Sequence, residues 1–397
     1  MLNELRQAAR EVSSPAYIFS AGAFAGRARM VKEAFGEDTD ICYSIKANPF
    51  LLAVLPEEFS KIEVCSPGEL EICKALKIDP LKIIFSGVNK SQAEVDTAVD
   101  YGVRILTAES ENHLRYISNA ASERGITAEV LVRLSCESQF GMDRSDVKRL
   151  IAGRASYPGT EIKGIHYFTG TQKTRPKEII KETARLNKFL DELDEELAFR
   201  PERIEYGTGL AVDYFAADAN EKEQARLDEI SGCIRELSQR VRLTVEMGRF
   251  FAAPCGWLVN TVVDTKFNDG AHYAILDGGL HQMKYDGQIQ GMQIPVITHI
   301  GSGGTADANE EKWTLCGSLC TTADVIARGA SFTDLREGDR IVFHRTGAYS
   351  VYEGFSMFLS RDLPSIYMLD KDNNLRLMRS RIETARFNMA EDLTEWL

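Results

Sequence analysis

From about residue 40 onward, short apolar runs alternate with polar stretches in which apolar residues recur at helical spacing. The runs ICYSIKAN (41–48), KIEVCS (61–66), KIIFSG (82–87), RILTAE (104–109), AEVLVRLS (128–135), GIHYFTG (164–170), RIEYGTG (203–209) and RLTVEMG (242–248) predict eight strands. The stretches between them, such as PGELEICKALKID and SQAEVDTAVDYG, predict helices with Gly or Pro near their ends. Eight β–α units over roughly 230 residues match an α/β chain folded as a (β/α)8 TIM barrel. A doubly wound open sheet would produce most of the same pattern and stands as the alternative.

Beyond about residue 260 the texture changes. TVVDTKF, HYAILDGG, PVITHIG, DRIVFHRTGAYS and LPSIYMLDKDNNLRLMR are strand-like runs separated by turn signals, so a second, mostly β domain is expected there. The opening SSPAYIFS is strand-like too and precedes a helical AGAFAGRARMVKEAFG. If that first strand completes the β domain, the barrel (25–265) is an insertion between the two parts of it (1–24 and 266–397).

Composition narrows the functional classes. Hydrophobic residues at 44% and charged residues at 27% describe an ordinary globular chain of 397 residues and exclude disordered and collagen-like classes. A formal charge of -12 with no basic patch predicts no nucleic-acid partner and no attachment to anionic membranes. The start, MLNELRQAAREVSSPAYIFS, is polar and mixed in charge, and no apolar run reaches the length of a membrane span, so neither export nor insertion is expected. The eight cysteines are scattered, and the closest pair, Cys316 and Cys320 in CGSLC, lacks the partner pair of a structural zinc site. A cytoplasmic protein without a metal is the expectation. The acidic run DELDEEL reads as a solvated helix face.

Several side chains carry chemical promise. Lys46 falls in YSIKANP, an otherwise buried-looking strand, where it must reach solvent, a counter-charge or a cofactor. A snorkelling strand-end lysine and a Schiff-base lysine both fit. His166 and Phe168 share one face of HYFTGTQ, as polar packing and core or as one aromatic wall against a flat ring. Thr171 and the glycines of EYGTGL, Gly207 and Gly209, close consecutive strands, where barrel loops offer backbone N–H groups to phosphate; plain structural turns are the simpler reading. Glu246 and Arg249 in VEMGR close the eighth strand and could form an ion pair. Glu63 and Arg133 each sit inside an apolar strand, where an unpaired charge is expensive, and with the others they indicate a polar constellation on one barrel face. Cys320 and Asp324 in CGSLCTTAD are four apart, compatible with one face of a short helix, although the cysteines could simply be small buried residues.

In this order the pieces resemble the fold-type III pyridoxal-phosphate decarboxylases, the family of diaminopimelate and eukaryotic-type ornithine decarboxylases, whose alanine-racemase-like fold joins a barrel to a β domain. The likeness runs over nearly the whole chain. The family pattern Y-x-x-K-A-N stands here as YSIKAN, which implies Lys46 as the lysine that holds pyridoxal 5'-phosphate. E-P-G-R stands as EMGR, implying Glu246 as partner of the pyridine nitrogen, with Gly248 and Arg249 on the phosphate side. Gly207 and Gly209 are what remains of the glycine cluster, and G-A-Y is intact at Gly347, Ala348 and Tyr349, the tyrosine matching a phosphate contact. Glu63 and Arg133 match an acid and an arginine that flank the cofactor.

The departures bear on substrate. Where most members read H-x-H-x-G-S-Q this chain reads HYFTGTQ, so Phe168 replaces the ring-stacking histidine and His166 matches the earlier one. G-P-x-C-x-x-x-D becomes GSLCTTAD, and Thr321 follows the cysteine where diaminopimelate enzymes carry Glu and ornithine enzymes Asp. A hydroxyl cannot neutralise a distal ammonium. ILDGGLHQMKYDG lacks the arginine expected for a distal carboxylate, with Lys284 a partial substitute. These features are similar to the branch acting on modified or conjugated amino acids, free or carrier-bound, in siderophore, antibiotic or related biosynthesis, with classical diaminopimelate decarboxylation as the alternative.

The resemblance implies a small-molecule decarboxylase releasing CO2 and an amine. It implies a homodimer in which Cys320 is contributed across the interface and returns a proton to the α-carbon, a role Lys46 could also fill, with Thr321, Asp324 and Lys284 facing the substrate. Two other readings differ in chemistry. A racemase of the same fold needs two bases on opposite faces of the cofactor. A non-catalytic cofactor carrier would resemble the barrel alone.

Overall fold

The computed structural model describes residues 2–302 and 309–391. By their internal contacts they form two compact units: Ala25–Val212 with Asn220–Phe251, and Met1–Phe24 with Asp213–Ala219 and Ala252–Leu397. The change of unit near the end of the barrel falls between Phe251 and Ala252, ahead of the 265 read from the sequence.

After a first strand, β1 (Ala16–Ser20), the larger unit supplies β2 (Thr39–Ser44), β3 (Phe59–Val64), β4 (Ile83–Phe85), β5 (Ile105–Ala108), β6 (Ala128–Leu134), β7 (Thr160–Phe168), β8 (Arg203–Gly207) and β9 (Arg242–Met247). Each pairs in parallel with its successor, and β9 returns to β2 through Ile41↔Val245 and Cys42↔Glu246, so the eight close into a barrel. Closure excludes the open doubly wound sheet. The crossover helices start where their caps dictate: Ser66, Ser91, Ser110 and Asp143 each accept a backbone N–H of the first turn, and Ser91 with Glu94 forms a full capping box.

Strand alternation divides the barrel interior. Cys42, Ile84, Ile105 and Leu131 pack together as an apolar cluster. Charged and polar side chains gather toward the carboxyl ends of the strands, the end at which barrels place their chemistry. On the outward side of β7 and β8, Tyr167 and Tyr206 stack at 6.2 Å, and the Tyr206 hydroxyl donates to Glu182 of the helix Pro176–Leu197 over 2.7 Å.

The second unit is a nine-stranded sheet. Besides β1 it contains β10 (Gly256–Asn268), β11 (Ala271–Leu276), β12 (Ile297–Ile300), β13 (Glu310–Cys316), β14 (Val325–Thr333), β15 (Arg340–Phe343), β16 (Ser365–Leu369) and β17 (Leu375–Arg379). β1 lies between β10 and β16, so the amino-terminal strand completes the sheet. The strands β13 and β14 were not read from the sequence, because half their side chains face outward and Gly329 interrupts β14. The polar opening of the chain is a helix, Leu2–Glu11, whose Leu5, Ala8 and Ala9 join Val12, Ile18, Trp257 and Val342 in one core. Spacing of i, i+3 and i+4 on that stretch was the available signal.

Candidate active site

Lys46 is not on a strand. β2 ends at Ser44, and a 3-10 turn, Ile45–Ala47, carries Lys46 past the barrel rim, with Asn48 capping the turn that follows. There Lys46 Nζ meets both oxygens of Glu63, at 2.9 and 2.6 Å, and lies 3.5 Å from Cys65 Sγ. Burial alone would push the Glu63 carboxyl up. The Lys46 charge and hydrogen bonds from Cys65, Lys46 and Ser44 outweigh it, lowering Glu63 to about 2. The Cys65 thiol moves the other way, raised by burial and the Glu63 charge, and donates to Glu63 over 3.0 Å. Arg133, the other charge inside an apolar strand, is paired with buried Glu109 and lies 5.1 Å from the Phe140 ring. Glu109 also accepts from Gly141 N at 2.9 Å, which ties the loop after β6 to the same network.

His166, Phe168, Gly207 and Glu246 converge. Alternation along β7 turns His166 and Phe168 inward, and His166 Nε2 lies 3.4 Å from Glu246 Oε1. A Cβ at Gly207 would stand 2.5 Å from Phe168 Cδ2 and 2.6 Å from Glu246 Oε1, so only glycine leaves the ring and the carboxylate where they are. Gly209 holds φ +63, and a Cβ there would fall 1.9 Å from the Gly170 carbonyl oxygen. That contact lets the loops after β7 and β8 zip together, with Lys173 N donating to Gly209 O at 2.9 Å and Val212 N to Gln172 Oε1 at 2.9 Å. Thr171 is thereby presented at the rim, where Arg249 Nε donates to its hydroxyl over 3.4 Å. Glu246 faces His166, and Arg249 reaches Thr171.

The arrangement has the shape and polarity for a flat aromatic ring bearing an anionic tail. Glu246 Oε2 and both His166 nitrogens are buried with no hydrogen-bond partner among the described residues, so a polar ring atom has a carboxylate acceptor waiting in Glu246. Thr171, Arg249 and the Gly207–Gly209 backbone supply donors on the side where barrels hold phosphate.

A family model described as "Pyridoxal-dependent decarboxylase, pyridoxal binding domain" matches residues 22–253, more than half of the chain. The chain belongs to the pyridoxal-dependent decarboxylases. It is an enzyme that takes pyridoxal phosphate and decarboxylates an amino acid, which sets aside the racemase and the non-catalytic carrier. Among similar proteins, the diaminopimelate decarboxylase of Vibrio cholerae serotype O1 is 28% identical over 96% of this chain and 93% of its own. The L-glutamyl-[BtrI acyl-carrier protein] decarboxylase of Niallia circulans is 25% identical over 95% of this chain and 94% of its own. In fold the decarboxylase is similar to the crystal structure of diaminopimelate decarboxylase from M. jannaschii in complex with L-lysine, with a TM-score of 0.84, 23% identity, and coverage of 99% of this chain and 95% of that one.

The β unit of the decarboxylase holds the remaining residues of interest. Cys320 and Thr321 are exposed on an irregular loop after β13. Cys320 and Asp324 are not on a helix, and the Asp324 oxygens accept from Leu280 N and Leu319 N, both at 2.8 Å. Burial raises the Asp324 carboxyl against those two bonds, and the residue pins two loops. Lys284 is exposed, 3.6 Å from Glu353, and lines a cavity of about 320 Å³ with Leu280, Met283, Tyr285, Ala323 and Phe355. Tyr349 adopts φ +60, a conformation that L side chains hold only when their surroundings enforce it. Sequence reading missed Glu109, Cys65 and Glu205. Glu205 carried the signal that singled out Glu63, an acid inside the apolar run RIEYG.

Proposed function

We propose that the substrate is a diaminopimelate-type amino acid, decarboxylated at its α-carbon to an amine. The single observation behind this is the recurrence of diaminopimelate decarboxylases among relatives spanning nearly the whole chain, which favours that substrate over the conjugated amino acids expected from the site variants. Bound pyridoxal phosphate supplies an electron sink for the electron pair left when CO2 departs. In this reading Lys46 Nζ would hold the cofactor through its aldehyde, and Glu63 would keep that lysine in place. Phe168 covers the ring face, Glu246 keeps the ring nitrogen protonated through a charge-assisted bond, and Arg133 orders the rim. Arg249, Thr171, Gly248 and the backbone at Gly207 and Gly209 fix the phosphate. Cys320 Sγ or Lys46 Nζ returns the proton to the α-carbon.

A second reading keeps the chemistry and changes the distal group. Thr321 offers only a hydroxyl and the Lys284–Glu353 pair is loose, which favours an uncharged or conjugated side chain. The similarity to a glutamyl carrier-protein decarboxylase points the same way. CO2 release decides between them. With meso-diaminopimelate, L-lysine, L-glutamate and their acylated conjugates compared by kcat/KM, the first reading expects meso-diaminopimelate to lead, and a lead of tenfold or more for any conjugate would replace it by the second.

The active form in this proposal is a homodimer, the exposed Cys320–Thr321 loop of one copy completing the site of the other. Exposed Phe355, Phe358, Leu359 and Phe387 supply apolar surface for such an interface. Work in the reducing cytoplasm accords with the scattered placing of the eight cysteines along the chain. Among the described residues no helix is long and apolar enough to cross a membrane.

A further inference from the structure

Glu205 is a buried acid that the reading above does not use. It lies on β8 two residues before Gly207, is fully buried, and pairs in register with His166 on one side and Thr244 on the other. One ligand-type atom each from His166, Glu205 and Glu246 lie within 4.8 Å of one another. Among the described residues neither oxygen of Glu205 meets a donor, and Oε2 of Glu246 is in the same position. Two carboxylates at this range in a dry interior cannot both stay ionised. The other titratable groups facing the acid are Cys42 from β2, Glu63 from β3 and Lys46 from the turn after β2. Burial, then the Glu246 and Glu63 charges, raise Glu205 well above the ordinary value of 4.5, and Lys46 opposes them without prevailing. Cys42 is no proton acceptor, since burial and the same three acids raise its thiol as well.

We infer that Glu205 is a positioning residue: as a neutral acid it donates its O–H to Glu246 and holds that carboxylate toward the ring nitrogen of the cofactor. The inference rests on Glu246 being the ring-nitrogen partner. Glu205 then satisfies one oxygen of Glu246 and leaves the other for the ring, without adding a second negative charge that the barrel interior would have to solvate.

Three measurements test it, two on cofactor-free protein. Infrared difference spectra between wild type and Glu205→Gln at neutral pH should show a protonated-carboxyl carbonyl band that shifts in D2O; its absence overturns the inference. A carboxyl that binds its proton more tightly in the folded state loses stability as pH rises above its unfolded value. Glu205→Gln should therefore have a higher Tm than wild type at pH 8, the gain shrinking to nothing at or below pH 4.5, the ordinary value. A gain that is absent or independent of pH overturns the inference. In the loaded enzyme, Glu205→Met should lower kcat by about tenfold or more at unchanged KM, the size expected for a lost hydrogen bond to a charged group, while Glu205→Gln, which still donates, restores most of it. Equal losses in the two variants overturn the positioning role. Glu246→Gln separates the two levels. Intact turnover in that variant with the infrared band present removes the ring-nitrogen reading and with it the positioning role; lost turnover with the band absent removes the Glu205 inference alone.

Discussion

Lys46 and Glu63 show how one residue's ionisation depends on another's. Glu63 is nearly inaccessible, yet the ammonium 2.6 Å away keeps its pKa at about 2. A depressed carboxyl contributes stability that is complete above its unfolded value of 4.5 and is lost as pH falls from there toward 2. Replacing Lys46 by Met should therefore destabilise the cofactor-free protein at pH 7, by roughly 1–3 kcal/mol because the lysine is partly exposed and a fully buried pair would cost more. The deficit should shrink on acidification below pH 4.5, where Glu63 takes up a proton instead. Thermal unfolding of the two proteins across this range checks it, and a deficit independent of pH would mean that packing, not charge, is what Lys46 supplies. At Gly207 the constraint is steric. Gly207→Ala would drive a methyl group between Phe168 and Glu246 and should weaken pyridoxal phosphate binding by tenfold or more while costing about 1–3 kcal/mol of stability. Cofactor titration followed by absorbance, with denaturant unfolding alongside, measures both effects.

At the scale of elements, buried charge joins helices that the sequence leaves unrelated. Arg27 on the helix Ala21–Phe35 reaches Glu223 on the helix Ala219–Ser238 at 2.9 Å, donates twice to the Phe250 carbonyl, and lies 4.0 Å over the Phe250 ring. Both partners are almost inaccessible. Arg27→Met takes the guanidinium away from the buried Glu223 carboxylate and should cost about 3–5 kcal/mol, whereas Arg27→Met with Glu223→Leu should recover part of that, because the carboxylate that lost this partner is then gone too. A double-mutant cycle by urea unfolding gives the coupling energy. The loops above β7 and β8 follow the same logic. Lys173, Thr169 and Tyr206 all converge on buried Glu182, and that anchoring is what presents Thr171 at the rim. The strands themselves were readable, since each is a short apolar run bounded by turn residues. The continuous pattern of ICYSIKAN predicts Lys46 on a strand, and the 3-10 turn that follows β2 has no periodicity long enough to announce itself.

For the whole molecule, the proposed composite site has a direct consequence. Lys46→Ala and Cys320→Ala homodimers should both be impaired, and a co-expressed mixture should regain about a quarter of wild-type turnover, because random pairing makes half the dimers mixed and each of these has one intact site. No recovery would place both residues in the site of a single copy. What the sequence alone determined is the local record: eight parallel strands with helical crossovers, a β-rich remainder completed by the first strand, and acids and a lysine conspicuous within apolar runs. The resemblance in motif order extended that record to cofactor and reaction class. Only tertiary structure decided which of those groups meet. Barrel closure through β9 and β2 and the register between β7, β8 and β9 bring His166, Glu205 and Glu246 together, though they are far apart along the chain. Asp324 likewise looked available for chemistry until the fold surrounded it with backbone N–H groups. The physical reason is that hydrophobic periodicity records which face of an element is buried, whereas the partner found on that face is set by closure and register, which depend on the whole chain at once.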